Sequence, residues 1–191
     1  LQALAESALV IGARVGERSD AVARAHDERE WQAALADIAG SDAYRGLELG
    51  EQTGLLPIGL DPSCGLWEFA HLISGEPARR NAEGRLEIGP ETGVVLVLLP
   101  AGTLPSGEEV QPFFIAKHEL TQEQWLRATR ANPSAFRVGT DYQGVHIADC
   151  HPVEQVSWEE AMRELPRLGL RLPTDAPVSY THLRAHETFG Y

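Results

Sequence analysis

Cysteine is nearly absent from this chain: Cys64 and Cys150 are the two in 191 residues, and no C-x-x-C occurs. That excludes a zinc ribbon and a disulfide-dense framework, and it predicts a reduced, cytoplasmic protein. Cations are short as well. The 16 Lys and Arg face 28 Asp and Glu, a formal net charge of −12, which argues against a sequence-independent grip on nucleic acid or on an anionic membrane. Long apolar runs are missing. The longest, residues 94–100, falls far short of the ~20 residues of a membrane helix, and the start of the chain lacks a basic, apolar, small-residue leader. No G-x-G-x-x-G, G-x-x-x-x-G-K-[ST], G-x-S-x-G or acidic calcium-loop pattern is present, so phosphate-loop and common hydrolase chemistries have no support. The chain opens on Leu1 and not Met, as expected for a piece of a longer reading frame.

What remains is 43% hydrophobic and 23% charged, the composition of an ordinary globular protein with one modest core plus an attached segment. Residues 1–39 are rich in Ala, Glu, Arg and Leu, without Pro. Leu1, Leu4, Ala8, Ile11 and Val15 fall at helical spacing, and Ser19 or Asp20 is placed to cap a second helix carrying Val22, Trp31, Leu35 and Ile38. The segment reads as a helical linker packing on its own domain or as a weak coiled coil, with the linker favoured because heptads are few. Residues 40–54 read as a polar connector. Short strands follow at 55–60, 66–72, 85–88 and 94–99, so that 40–92 forms a small β meander. Trp67 and Phe69 share one face of the second strand, and 94–99, apolar on both faces, is expected to be central in the sheet.

A third block begins at Pro112 with a strand that leads into a helix from Thr121. Thr121 with Gln124, and Ser157 with Glu160, are capping boxes, and Pro166 should kink or end the second helix. Residues 131–156 between them read as an irregular loop, long for a compact domain.

Candidate chemistry is sparse. His146, Cys150 and His151 are the densest group of soft ligands, of a type that suits zinc or copper, but no fourth ligand stands at a matching spacing and an ordinary loop is the expectation. His182 and His186 lack the Glu of an H-E-x-x-H site. Glu119, Glu123, Glu159, Glu160 and Glu164 invite an acid/base reading; the first-turn positions of Glu123 and Glu159 and solvated faces for the others account for them more simply. Trp67, Trp125 and Trp158 are expected in the core. No catalytic, cofactor or metal residue is assigned on these grounds.

Four landmarks in order, VLVLLPAGT (95–103), PFFIAKHELTQ (112–122), HPVEQVSW (151–158) and RLPTDA (171–176), resemble the first half of the sulfatase-modifying-factor domain, the family of formylglycine-generating enzymes. The stretch from LPIG (56–59) to GLWEF (65–69) is similar to what precedes this domain in bacterial proteins that fuse it behind a serine/threonine protein kinase. The resemblance implies an α+β, irregular C-type-lectin-like fold, here incomplete, with 93–176 as its N-terminal part behind the helical segment. It implies a copper-dependent oxidase, with calcium loops, that turns a sulfatase cysteine into formylglycine. In that family the copper-binding cysteine pair lies downstream of the matched landmarks, and neither Cys64 nor Cys150 aligns with it, so no catalytic residue is carried over and the chain is expected to be inactive alone. The alternative is a non-catalytic protein- or sugar-binding module serving the kinase. Residues 177–191 resemble a translated sequencing adapter and are read as a non-native tail.

Overall fold

The computed structural model describes residues 21–175 and Tyr180. The stripe from Leu1 to Val15, the caps at Ser19 and Asp20, and His182 and His186 lie outside them. The described elements run in the order α1 (Ala21–Gly40), β1 (Leu55–Leu60), β2 (Trp67–His71), β3 (Arg79–Arg80), β4 (Leu86–Glu87), β5 (Val95–Leu99), β6 (Gly102–Thr103), β7 (Glu109–Val110), β8 (Phe113–Ala116), α2 (Gln122–Thr129), β9 (Asp141–Tyr142), β10 (Val145–His146) and α3 (Trp158–Glu164), the last followed by a 3₁₀ turn, Leu165–Leu168. This is an α+β chain. No helix among the described residues is long and apolar enough to cross a membrane.

The scaffold is an antiparallel sheet ordered β1-β2-β5-β8. All five residues of β5 are buried, as its two apolar faces require of an inner strand. Strands before and after residue 92 share this one sheet, because β2 pairs directly with β5 through Phe69 opposite Leu96 and Ala70 opposite Val95. On one face, Trp31, Ile38, Tyr44, Leu55, Phe69, Leu96 and Leu98 form the main core. Phe69 is 0% exposed and meets Phe114 edge-on at 5.1 Å and Trp31 at 5.4 Å between ring centroids, arrangements the aromatic quadrupole favours.

Helix α1 packs on this face through Trp31, Ala34 and Ile38, whose spacing of three and four makes a single helical stripe. Its polar handles fix the docking. Trp31 Nε1 donates to the Leu55 carbonyl at 3.2 Å, and Trp67 Nε1 donates to Asp37 at 2.7 Å. The Tyr44 hydroxyl closes the connector onto the sheet by accepting from Trp67 N at 2.8 Å and donating to the Leu98 carbonyl at 3.0 Å.

The opposite face holds a smaller cluster of Val97, Leu99, Leu104, Val110 and Tyr180. Tyr180, from the stretch that resembles an adapter, seats its ring on Gly102, where a Cβ would stand 2.3 Å from it; only glycine admits this approach. Among the described residues, three two-stranded ribbons accompany the sheet. The strand expected at 85–88 shortens to β4 and pairs with β3, which its composition does not announce. Asn81 Oδ1 accepts from Glu83 N at 3.1 Å and Arg85 N at 2.9 Å, an Asx turn that sets this hairpin.

Both expected capping boxes form. In each, the cap hydroxyl accepts from the N3 backbone and the N3 side chain returns a bond to the cap N–H. Helix α3 ends at Glu164, and Pro166 sits in the first positions of the 3₁₀ turn, where its missing N–H costs nothing.

Replacing Phe69 by Ala removes the ring common to α1, β2 and β8. We expect a loss of about 3–5 kcal/mol in unfolding free energy, read as a lowered urea midpoint.

Candidate functional site

The long loop is organised by one buried amide. Gln122, at the start of α2 and 1% exposed, donates through Nε2 to the Phe136 carbonyl at 2.8 Å, accepts from Asn132 Nδ2 at 2.8 Å, and donates its backbone N–H to the His151 carbonyl at 2.9 Å. Ser134 Oγ accepts from Glu154 N, and Glu154 Oε1 accepts from Phe136 N at 2.8 Å. These bonds place the candidate ligands. His146 pairs with Asp141 at 3.0 Å on the exposed β9–β10 ribbon. His151 Nδ1 accepts from Ala148 N at 2.9 Å, a turn-forming contact. Cys150 is a free, exposed thiol. Among the described residues no group of three or more His, Cys, Asp and Glu is arranged to hold a metal ion.

Cys150 does line a shallow cleft of about 530 Å³ together with Lys117, His118, Glu119, Gln124 and Pro152. Partial burial, reinforced by the Lys117 charge, lowers the His118 imidazole below its ordinary range. The cleft therefore gathers a thiol, an imidazole and a carboxyl group without forming a ligand set among the described residues.

Among the glutamates, Glu160 takes the capping role expected of it and Glu164 departs from the solvated face expected of it. Glu160 is the capping-box partner of Ser157, accepting its N–H at 2.9 Å, and that backbone bond, followed by the Ser157 hydroxyl, lowers its carboxyl. Glu164 is buried and not solvated, because it sits between Arg163 at 2.7 Å and Arg167 at 2.8 Å. Trp67 and Trp125 are core residues, but Trp158 is 65% exposed. As the first helical residue after the Ser157 cap it flanks the buried face of α3, which carries Ala161 and Glu164.

A buried ionic cluster forms around a residue that the sequence pattern does not single out. Glu68 lies on β2 behind Phe69 and is 0% exposed; its two carboxylate oxygens pair with Arg80 and with Lys117. Lys117 also meets Asp61 at 2.9 Å, and Arg80 donates to the Gly84 carbonyl at 2.8 Å and the Leu60 carbonyl at 3.0 Å. Burial pushes the Asp61 carboxyl up, yet Lys117 and the Ser63 N–H and hydroxyl outweigh it and hold the group well below the usual carboxylate range. Burial likewise pulls Lys117 down, and its two carboxylates overcome that and raise it. Burial and the nearby Asp61 charge push the Cys64 thiol up, which disfavours a reactive thiolate.

His71 ends β2 at 0% exposure. Its Nδ1 is 3.0 Å from Ser74 Oγ, which itself donates to the His71 carbonyl at 2.8 Å and accepts from Val94 N at 2.7 Å. The hydroxyl proton is thus committed, and Nδ1 must carry the proton that completes the set. Gly93 permits this packing, since a Cβ there would stand 2.8 Å from the His71 carbonyl. Burial, offset only in part by the Leu168 backbone, pushes the ring from 6.5 down to about 4. Arg127 on α2 secures the neighbourhood from outside, donating to the Ser74 carbonyl at 3.0 Å, to the Thr92 carbonyl at 2.8 Å and to the Pro90 carbonyl.

Residues 82–185 match the family model of the sulfatase-modifying factor enzyme 1-like domain. The chain belongs to this family. No curated protein and no solved structure matches it. Within the family segment lie β5, β8, both capped helices and the Gln122 loop. Helix α1, β1, β2 and β3 precede it, so Glu68 and His71 meet the family segment through partners at Lys117, Val94 and the 3₁₀ turn.

Two outcomes follow from these groups. A histidine whose folded pKa is depressed leaves stability untouched above the unfolded value near 6.5 and removes it as pH falls toward the folded value of about 4. The drop over that window is roughly 3 kcal/mol, and urea titrations from pH 7 to 4 should show it, with most of the slope gone in His71→Gln. Removing one partner from a buried pair strands the others, so Glu68→Gln should cost about 3–5 kcal/mol at pH 7, measured by the same titration.

Proposed function

We propose that these residues are the structural, N-terminal part of a formylglycine-generating-enzyme-like domain with the C-type-lectin-like arrangement that its landmarks imply, and that they do not by themselves oxidise a sulfatase cysteine. The observation that carries this reading is the state of the two thiols. The copper chemistry of the family needs a cysteine pair, whereas Cys64 and Cys150 are separate free thiols, Cys64 is held toward its protonated form, and the described residues offer no set of donors for a metal. The described residues do not fit copper.

What the segment supplies is a frame. The sheet fixes β8, β8 leads into the capped helix α2, and α2 anchors the 131–156 loop through Gln122. The likeness of 56–69 to kinase-linked bacterial proteins suggests a cytoplasmic parent in which this frame stands beside a kinase.

A second reading, a recognition module for a protein or a sugar, is favoured by one observation. Trp158 and Met162, one helical turn apart on α3, are 65% and 46% exposed, and large exposed apolar residues at such spacing mark contact surfaces. One experiment addresses both readings. The chain is incubated with copper, oxygen and a cysteine-containing sulfatase peptide, aldehyde formation is followed by mass spectrometry, and tryptophan fluorescence is recorded. The scaffold reading expects no aldehyde above the protein-free control, and formation of it overturns that reading. Saturable fluorescence change without aldehyde, lost in Trp158→Ala, supports recognition instead.

A further inference from the structure

Beside the edge strand β8 lies a cavity of about 230 Å³. Its walls are apolar, with Leu55, Leu96, Phe114, Leu120, Leu165 and Leu170 among the lining residues, and Gln52, Arg171 and Thr174 add polar groups. His71 also lines it and is the fully buried polar side chain there.

The Ser74 bonds fix which face of this ring is unsatisfied. With the Ser74 hydroxyl proton on the His71 carbonyl and Val94 N donating to Ser74 Oγ, Nδ1 holds the ring proton and Nε2 holds a lone pair. Nε2 is buried and has no hydrogen-bond partner among the described residues. The Leu168 backbone carbonyl also approaches the ring and would accept a proton from Nε2; the 2.8 Å contact of the Ser74 hydroxyl with the His71 carbonyl, which needs the hydroxyl proton between the two oxygens, is what keeps the ring proton on Nδ1. A buried acceptor without a donor is costly, and native structures leave few of them unexplained. A cavity of about 150 Å³ with apolar walls already admits benzene, so this one holds a single aromatic ring with room to spare.

We propose that this cavity is a binding site for a compact, mostly apolar molecule bearing one hydrogen-bond donor, a ring hydroxyl or ring N–H, which the lone pair of His71 Nε2 accepts. The apolar walls supply affinity and the one acceptor supplies selection. An isosteric hydrocarbon fits the same walls but leaves Nε2 unpaired. The site is independent of the cysteine chemistry of the family and of the Trp158 surface.

The test uses the full chain labelled with ¹⁵N at histidine, titrated with phenol or with toluene while the imidazole nitrogens are followed by long-range ¹H–¹⁵N correlation. In the free protein His71 should show the Nδ1–H tautomer. Phenol should shift Nε2 upfield saturably, and toluene should bind about fivefold to tenfold more weakly, the ratio one neutral hydrogen bond provides, without moving Nε2. Leu120→Trp, which fills the cavity from its wall, should abolish phenol binding. His71→Phe should keep toluene binding and lose the preference for phenol; if that variant fails to fold, the tautomer and Leu120→Trp decide alone. No saturable shift, equal affinity for the two probes, a proton on Nε2 in the free protein, or phenol binding that survives Leu120→Trp would each overturn the proposal. An Nε2 already accepting a bond before probe is added, from water or from a residue outside those described, overturns it as well.

Discussion

Strand β2 places Phe69 on one side and Glu68 on the other, and neither side chain reaches water. A carboxylate in that position is tolerable only if its charge is answered where it lies. Arg80 and Lys117 answer it, and they come from β3 and from the end of β8. The same ionic knot therefore ties the chain before the family segment to the chain within it. Lys117 extends it to Asp61, whose carboxylate also organises the turn between β1 and β2 by accepting from Ser63. Buried ionic sets add little net stability over an apolar replacement. What this one does is fix the register of β2 against its neighbours, because a slip of one residue would put Phe69 among the charges and Glu68 in the aromatic core.

The parts of this architecture legible in the sequence are those governed by local rules. The strand at 55–60, the inner strand at 94–99, both capping boxes and the helical stripe of Trp31 and Ile38 follow from spacing, alternation and cap chemistry within a few residues. The residues that escaped such reasoning are polar ones buried by partners far along the chain. Glu68 depends on Lys117, 49 positions away, Gln122 on Phe136 and His151, and Arg127 on Ser74, 53 positions away. A glutamate in an alternating strand and a glutamine in a first helical turn both read as surface residues until their partners are known. His71 is the clearest case. Its place in the strand gives the parity that puts it on the same face as Phe69, but the state of its ring is set by Ser74 and Val94 together.

Trp158 shows the opposite failure. Size and apolarity argue for burial, yet the cap at Ser157 starts the helix so that Ala161 and Leu165 occupy the inward face and the indole is left beside it. The frame consists of the sheet, two capped helices and a tethered loop, whereas the two thiols occupy a turn and a loop with no shared ligand set.

The way the 131–156 loop is held has a consequence for how this fold varies. Its anchors, Asn132, Ser134, Phe136, His151 and Glu154, converge on Gln122 and on each other near the loop's two ends. The β9–β10 ribbon between them is closed on itself by the Gly139 and Ile147 backbone bonds and meets that base through the tilted contact of Tyr142 with Phe136 at 4.2 Å. The turn at Gln143 and Gly144, both at positive φ, is thus mechanically decoupled from the helix below. Length added or removed there leaves the bonds to Gln122 untouched, so the tip is a place where this loop tolerates insertion without loss of its base.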